Sequence, residues 1–342
     1  MKAWEIGGLS GIDGLRQVER AEPVAGPGQI LVKVTAAGLN YRDLMLVRGH
    51  YGSDHPDNRI PLTDGVGVIE ALGEGVEGFA IGERVVAPNF LPWLEDGGFG
   101  FHVFGQDLGI TTDGWLAEKI VLPAAAAIKL SDNVSDETAA TLAVVACTVW
   151  HAMVAFGGVA PGKLVLAQGT GGVSIFALQL AKALGAEFAI TSSSEEKLAK
   201  AREMGADYTV NYRETEDWSA ALLEVTGGRG ADIVIDTIGF GQMAQTIAAS
   251  AVEGRIGTVG ALSGSPQDEP SFNQGTMLGK NITIKGITSG HRGMFEAALE
   301  VMTKHNIEML IDRSFAFDDA KAAYEHLESG SHMGKVLIRV AG

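Results

Sequence analysis

Leu164-Val165-Leu166-Ala167-Gln168-Gly169-Thr170-Gly171-Gly172-Val173-Ser174 decides the fold. An apolar run breaks into a glycine-rich turn. Ile175, Leu178 and Ala181 or Lys182 then recur at helical spacing, and Gly185 sits where a helix would stop. Strand, glycine turn and helix open a dinucleotide-binding unit. Gly169 permits the tight turn, and Gly171 carries no side chain to hold off a pyrophosphate. The helix start offers unpaired N–H groups and a positive dipole end, so Gly169, Thr170, Gly171, Gly172 and Val173 are the candidate phosphate ligands. Ser174 stands where a third glycine is usual, which a slightly wider helix–strand contact tolerates. The competing reading is an ordinary strand–helix turn. Against it, Phe188-Ala189-Ile190, Ala231-Asp232-Ile233-Val234-Ile235-Asp236 and Ile256-Gly257-Thr258-Val259-Gly260 follow as further strand-like runs. Sustained alternation implies a doubly wound α/β parallel sheet with ligand at the carboxyl ends of its strands.

The chain has 342 residues, enough for about two domains by the usual length prior. Its formal net charge of −16 argues against nucleic acid or an anionic membrane as partner, and leaves a small-molecule substrate. The single cysteine, Cys147, allows neither an intrachain disulfide nor a cysteine-based zinc cluster. Met1-Lys2-Ala3-Trp4-Glu5 lacks a basic segment followed by an apolar one, so no export signal is expected and a cytoplasmic enzyme fits. The run from 139 to 160 is apolar enough to suggest a membrane span. It is broken by Gly157-Gly158 and follows the capping sequence Ser135-Asp136-Glu137, so a buried helix is the better reading.

Residues 1–125 read as β-rich, with strand-like runs such as Ile30-Leu31-Val32-Lys33-Val34 and Val66-Gly67-Val68-Ile69 between Gly, Pro and Asp clusters. Asn40-Tyr41-Arg42-Asp43-Leu44-Met45 reads as a short helix start, with Asn40 or Asp43 as the cap. Residues 91–114 hold Trp93, Phe99, Phe101 and Phe104. They form either the wall of a substrate pocket or a loop packed on its own domain. The nucleotide domain is expected over 126–306. Residues 307–342 return to a helix and a last strand, Lys335-Val336-Leu337-Ile338-Arg339-Val340, which rejoins the N-terminal β domain.

With these segments in view, the chain resembles the medium-chain dehydrogenase/reductase superfamily, near its zinc-independent quinone oxidoreductase branch. The resemblance rests on Gly38-Leu39-Asn40-Tyr41-Arg42-Asp43, Asp64-Gly65-Val66-Gly67-Val68, Gly82-Glu83-Arg84-Val85-Val86 and Asp113-Gly114-Trp115-Leu116-Ala117-Glu118. It continues through the glycine turn, Glu196-Lys197-Leu198 before Gly205-Ala206-Asp207, and Gly330-Ser331-His332-Met333-Gly334-Lys335-Val336. It implies a GroES-like substrate domain (1–125 and 307–342), a Rossmann domain (126–306), and a cofactor in the cleft between them. Zinc-dependent members carry a cysteine in the segment of Asn40 and a Gly-His-Glu in the segment of Leu62-Thr63-Asp64. Neither thiolate nor imidazole is present here, and the eight histidines show no paired metal spacing. No zinc is therefore expected. Without a Lewis acid, the expectation moves to conjugated acceptors, quinones or enones, reduced by a nicotinamide.

No carboxylate stands about 20 residues past the first glycine, where NAD enzymes hold the ribose 2′-hydroxyl. Thr191-Ser192-Ser193-Ser194-Glu195-Glu196-Lys197 stands there instead, which suits a 2′-phosphate. The resemblance assigns Ser192, Ser193, Lys197 and Tyr212 to that phosphate, favouring NADP (as NADPH) over NAD. Alternatively Ser193 and Glu196 form a capping box, with Lys197 on a solvated face. The resemblance further places Asn40 and Thr148 beside the nicotinamide ribose, Gly260, Ala261 and Leu262 at the carboxamide, and Thr237 near the adenine ribose. Thr288 and Lys335 lie either on the cofactor or, respectively, in a strand and at the surface. Hydride transfer needs no protein nucleophile, and any proton comes from Tyr51, Tyr41 or solvent. Arg42 and Asp43 are expected to be structural, as an ion pair at the domain interface and a cap. Two alternatives are an alcohol dehydrogenase that recruits metal through Asp64 and a histidine, and a low-turnover NADPH-binding protein. Asn281-Ile282-Thr283-Ile284-Lys285-Gly286 reads as an edge strand, which in relatives pairs with its copy, so a homodimer through Ile282–Gly286 is expected.

Overall fold

The computed structural model describes residues 1–51, 58–260, 262 and 274–340. The chain divides into two compact units, Met1–Cys147 with Gly290–Gly342, and Thr148–Ser289.

In the first unit, β1 (Lys2–Ile6) and β2 (Leu15–Glu19) form an antiparallel ribbon. The main sheet contains β3 (Gln29–Leu39), β4 (Asp64–Leu72), β5 (Arg84–Val86), β6 (Lys119–Pro123) and β7 (Ile128–Lys129). The long, mostly buried β3 is its centre, pairing antiparallel with β4 and β6. A short helix, α1 (Tyr41–Val47), leaves the end of β3 with Asn40 as its N-cap residue, and the Asp43 carboxylate accepts the Asn40 N–H at 2.7 Å. Helices α2 (Asp136–Ala139) and α3 (Ala143–Val149) follow, and α3 runs into π-helical turns at Trp150–Phe156. The apolar run is thus a buried helical stretch, and among the described residues no helix is long and apolar enough to cross a membrane.

The second unit is a parallel sheet of six strands. Its members in chain order are β8 (Leu164–Gln168), β9 (Glu187–Ser192), β10 (Tyr208–Asn211), β11 (Ala231–Asp236), β12 (Ser250–Thr258) and β13 (Thr283–Gly286). Their spatial order is β10-β9-β8-β11-β12-β13, the doubly wound arrangement. Every residue of β8 is buried, as a strand covered on both faces requires. The glycine turn opens α4 (Gly172–Ala183), and α5 (Glu195–Glu203) follows β9. The N-cap of α5 is Ser194, whose hydroxyl accepts the Lys197 N–H. The expected box on Ser193 and Glu196 is therefore one residue out. Strand β13 is the edge of the sheet.

The chain then returns to the first unit through α6 (Arg292–His305), β14 (Ile311–Ala316), α7 (Ala320–Glu328) and β15 (Lys335–Arg339). Strand β15 pairs antiparallel with β3 and parallel with β14, so the last strand does rejoin the N-terminal sheet. The boundaries at 125 and 306 differ from the observed division. Strand β7 pairs with β5, the Asp64 carboxylate accepts the Val144 N–H, and Met309 N–H donates to Thr138. These bonds tie 126–147 to the first unit, and Arg292 donates to the Ala127 carbonyl, tying in the start of α6.

Candidate functional site

At the carboxyl ends of the parallel strands, the second unit gathers most of the expected cofactor residues. Gly169 has φ +75°, a left-handed conformation that glycine adopts without strain, and its N–H donates to the Thr191 carbonyl of β9. Gly171 has open space where a side chain would stand, and α4 begins at the next residue. The resulting cradle is free of side chains at Gly171 and has a twelve-residue helix opening at the next residue, and so fits a diphosphate. Ser174 donates its hydroxyl to the Gln168 carbonyl at 2.9 Å, so the residue in place of the third glycine is fastened to the strand end.

Thr237 donates to the same Gln168 carbonyl at 2.8 Å, from the end of β11. Gly260 follows β12 and packs on the Thr237 backbone so closely that a Cβ there would meet its carbonyl. Thr288 follows β13 and is exposed, and Leu262 is exposed as well. Ala261 lies outside the described residues. Ser192 is buried at the end of β9, accepting the Ser194 N–H, and its carbonyl accepts the Tyr212 N–H at 3.1 Å. Ser193 and Lys197 are half-buried and Tyr212 is exposed, all at the same sheet end. Thr148 is buried in α3.

The first unit brings together three residues that the sequence keeps far apart. Register pairs Leu39 with Val336 and Gly38 with Asp64, so Asn40, Asp64 and Lys335 meet at one end of the sheet. The Lys335 ammonium donates to Asn40 Oδ1 at 2.6 Å and to Asp64 Oδ2 at 3.0 Å. Lys335 is 3% exposed, so the surface alternative for it is wrong: its ammonium can be buried because a carboxylate and an amide oxygen receive it. Asp64 Oδ1 accepts the Val144 N–H at 2.9 Å, so both of its oxygens are engaged.

Asp43 lies beside this group, wholly buried, with Thr63 and the Asn40 N–H as donors. Burial pushes its carboxyl up to about 7, against the pull of Arg42, the Asn40 amide and Lys335 and with the push of Asp64. Arg42 pairs with Asp107 and lies 4.8 Å over the Tyr51 ring. That ion pair is internal to the first unit, where a domain-interface pair was expected. Burial raises the pKa of Tyr51, which disfavours its phenolate. Tyr41 is exposed.

The donor set does not suit zinc. The expected segments supply an amide and a carboxylate, and an ammonium already occupies both. Among the described residues no group of three or more His, Cys, Asp or Glu is arranged to hold a metal ion. Of the histidines, His291 contacts Asp96, His326 contacts Asp312, and His151 contacts the Ser289 carbonyl, while His55 lies outside the described residues. In the aromatic loop the Trp93 and Phe99 rings lie tilted at 52° with centroids 4.9 Å apart and Phe90 meets Phe104 edge-on, which is loop packing, while Phe101 is 94% exposed.

Sequence reasoning missed the Lys335–Asp64 bond and the perturbed Asp43. Their only signal is a lysine and two aspartates in separate segments, which is no signal without the register.

Comparison with known proteins agrees with both halves. A model described as alcohol dehydrogenase GroES-like domain matches residues 26–132, and one described as zinc-binding dehydrogenase matches 172–304. A zinc-type alcohol dehydrogenase-like protein of Schizosaccharomyces pombe is 39% identical over 339 residues, 97% of each chain. The acryloyl-coenzyme A reductase of Sulfurisphaera tokodaii is 28% identical over 95% of this chain and 96% of its own. The solved quinone oxidoreductase of Pseudomonas syringae pv. Tomato superposes with a TM-score of 0.82 at 28% identity, covering 99% of each chain.

Proposed function

We propose, starting from the fact that this chain belongs to the medium-chain dehydrogenase/reductase superfamily of NAD(P)-dependent oxidoreductases, that it reduces conjugated carbonyl acceptors, quinones or enones, with NADPH and without zinc. The observation that carries the reading is the Lys335 ammonium lodged on Asn40 and Asp64. A cation fixed there leaves an incoming metal no free oxygen on either side chain, and metal-assisted polarisation of an alcohol is the step that zinc would serve. Hydride transfer to a conjugated acceptor asks less of the protein: hold the reactants, exclude water and accept charge. The reductase of acryloyl-coenzyme A and the quinone oxidoreductase among the relatives have names of this type.

Nicotinamide supplies the hydride when bound. In this reading Gly169 shapes the turn and the amides of 170–173 hold its diphosphate, while Ser192, Ser193, Lys197 and Tyr212 receive a 2′-phosphate. Thr148, Thr237, Gly260, Ala261, Leu262 and Thr288 line the rest of the cofactor. Tyr51, Tyr41 or water returns the proton. The setting is the cytoplasm, and the open edge β13 pairs with a second copy to give a homodimer.

The test is NADPH and NADH oxidation against a quinone, an enal and a ketone, with and without chelator, together with sedimentation at micromolar concentration. NADPH-preferring, chelator-insensitive reduction of the quinone or enal is expected, from a dimer. Chelator-sensitive alcohol oxidation would favour the zinc-type relative's chemistry and overturn the reading.

A further inference from the structure

Buried among the residues just described is a hydrogen-bond donor with no acceptor. Asn40 is 8% exposed and its Oδ1 faces the Lys335 ammonium. An ammonium has donors only, so it must meet the amide oxygen, and this settles which way the carboxamide points. The Nδ2 amide is then the other end, and among the described residues it is buried and unpartnered. A donor left so is costly to bury, and native proteins keep few of them without a reason.

We infer that Lys335 is a positioning residue: it locks the Asn40 carboxamide so that Nδ2 is a preset donor for an oxygen of a bound reactant. The inference rests on the oxidoreductase reading above. Without the ammonium, only the capping contact with the Asp43 N–H restrains an Asn torsion that is otherwise broad and roughly two-fold, so the amide could present oxygen or nitrogen. The charge around the amide selects the ligand. Asp64 and Asp43 carry two negative charges when ionised and Lys335 one positive, which disfavours a phosphate or carboxylate and suits a neutral hydroxyl or carbonyl. Such an oxygen could belong to the cofactor or to the acceptor substrate.

A double-mutant cycle on the full-length protein decides it, with Asn40→Ala, Lys335→Gln and the pair of them. Two readouts are taken: NADPH affinity by fluorescence titration, and kcat and KM for a quinone and an enal. Each single change is expected to weaken one readout about tenfold, the size of one lost hydrogen bond. The double variant should be no worse than Asn40→Ala, because Lys335 acts through Asn40. A weaker NADPH Kd assigns the oxygen to the cofactor. An unchanged Kd with lower kcat/KM assigns it to the acceptor.

Losses that multiply in the double variant would mean that Lys335 meets the ligand itself, and would overturn the inference. So would a Lys335→Gln protein that binds and turns over like the wild type. Should Lys335→Gln fail to fold, Asn40→Asp decides: it keeps an oxygen for the ammonium and removes the donor. It should lose as much as Asn40→Ala, and wild-type behaviour would refute the donor role. A wild-type protein that binds neither NADPH nor NADH defeats the oxidoreductase reading and this inference together. Wild-type binding with a multiplicative cycle defeats the inference alone.

Discussion

The glycine turn at 169–173 and the knot of Asn40, Asp64 and Lys335 are both polar, yet they are built in opposite ways. The turn is contiguous in sequence, neutral, and open, with nothing beyond its chain neighbours within 4 Å of where a side chain would stand at Gly169 or Gly171. The knot comes from three distant segments, carries full charges, and is closed except at one amide. A region made for a ligand leaves its donors unpaired, and a region made to hold a fold pairs them. Asn40 belongs to both descriptions, which is why it draws the functional argument.

The sharpest way to break this comparison is Lys335→Met. If the knot is structural as well as orienting, the change strands the Asp64 carboxylate in a dry interior. Urea unfolding should show a loss of about 3–5 kcal/mol. A loss under about 1 kcal/mol would mean that water reaches Asp64 readily and that the knot is not closed.

Gly171→Val tests the other side. The backbone there is extended (φ −76°, ψ −179°), which valine accepts, and the space ahead of it is open. Stability should therefore move little. Cofactor affinity should fall roughly hundredfold, about 2.7 kcal/mol, as the side chain enters the anion's place. Normal affinity would show that the cradle is not used.

Acidity gives the finest probe, through Asp43. Its pKa in the folded protein, about 7, lies above the ordinary value of 3.8. The fold therefore favours the protonated form. That contribution is full below pH 4 and is lost as pH rises through about 7. Relative to Asp43→Asn, the wild type should lose about 2 kcal/mol of stability between pH 5 and pH 7.5. A flat difference would show that Arg42 and the Asn40 amide, not burial, govern the group.

Legibility in the sequence follows the same divide. The turn, the parallel sheet and its edge strand rest on local patterns: an apolar run, a glycine at positive φ, a helical period. The family resemblance, which the comparisons uphold, rests on short segments of the same kind. The α5 cap was out by one because three consecutive serines offer the same hydroxyl, and only the backbone selects Ser194. The compact units divide at 147 and 290 rather than at 125 and 306, because 126–147 and 290–306 look in sequence like connecting helix and strand while long-range bonds fasten them to the first unit. In sequence Lys335 reads as ligand or surface, since nothing near it announces Asp64, 271 positions away. Charge pairing across a sheet is set by register, and register is not written in any one segment.

The place of β15 has a consequence for how the protein is made. The strands of the nucleotide-binding sheet all lie between residues 164 and 286, so they can pair as soon as that stretch leaves the ribosome. The other sheet keeps a gap beside β3 until residues 335–339 arrive, after every strand of the parallel sheet. The earlier-translated half is therefore the later to mature, and it waits for its own lysine.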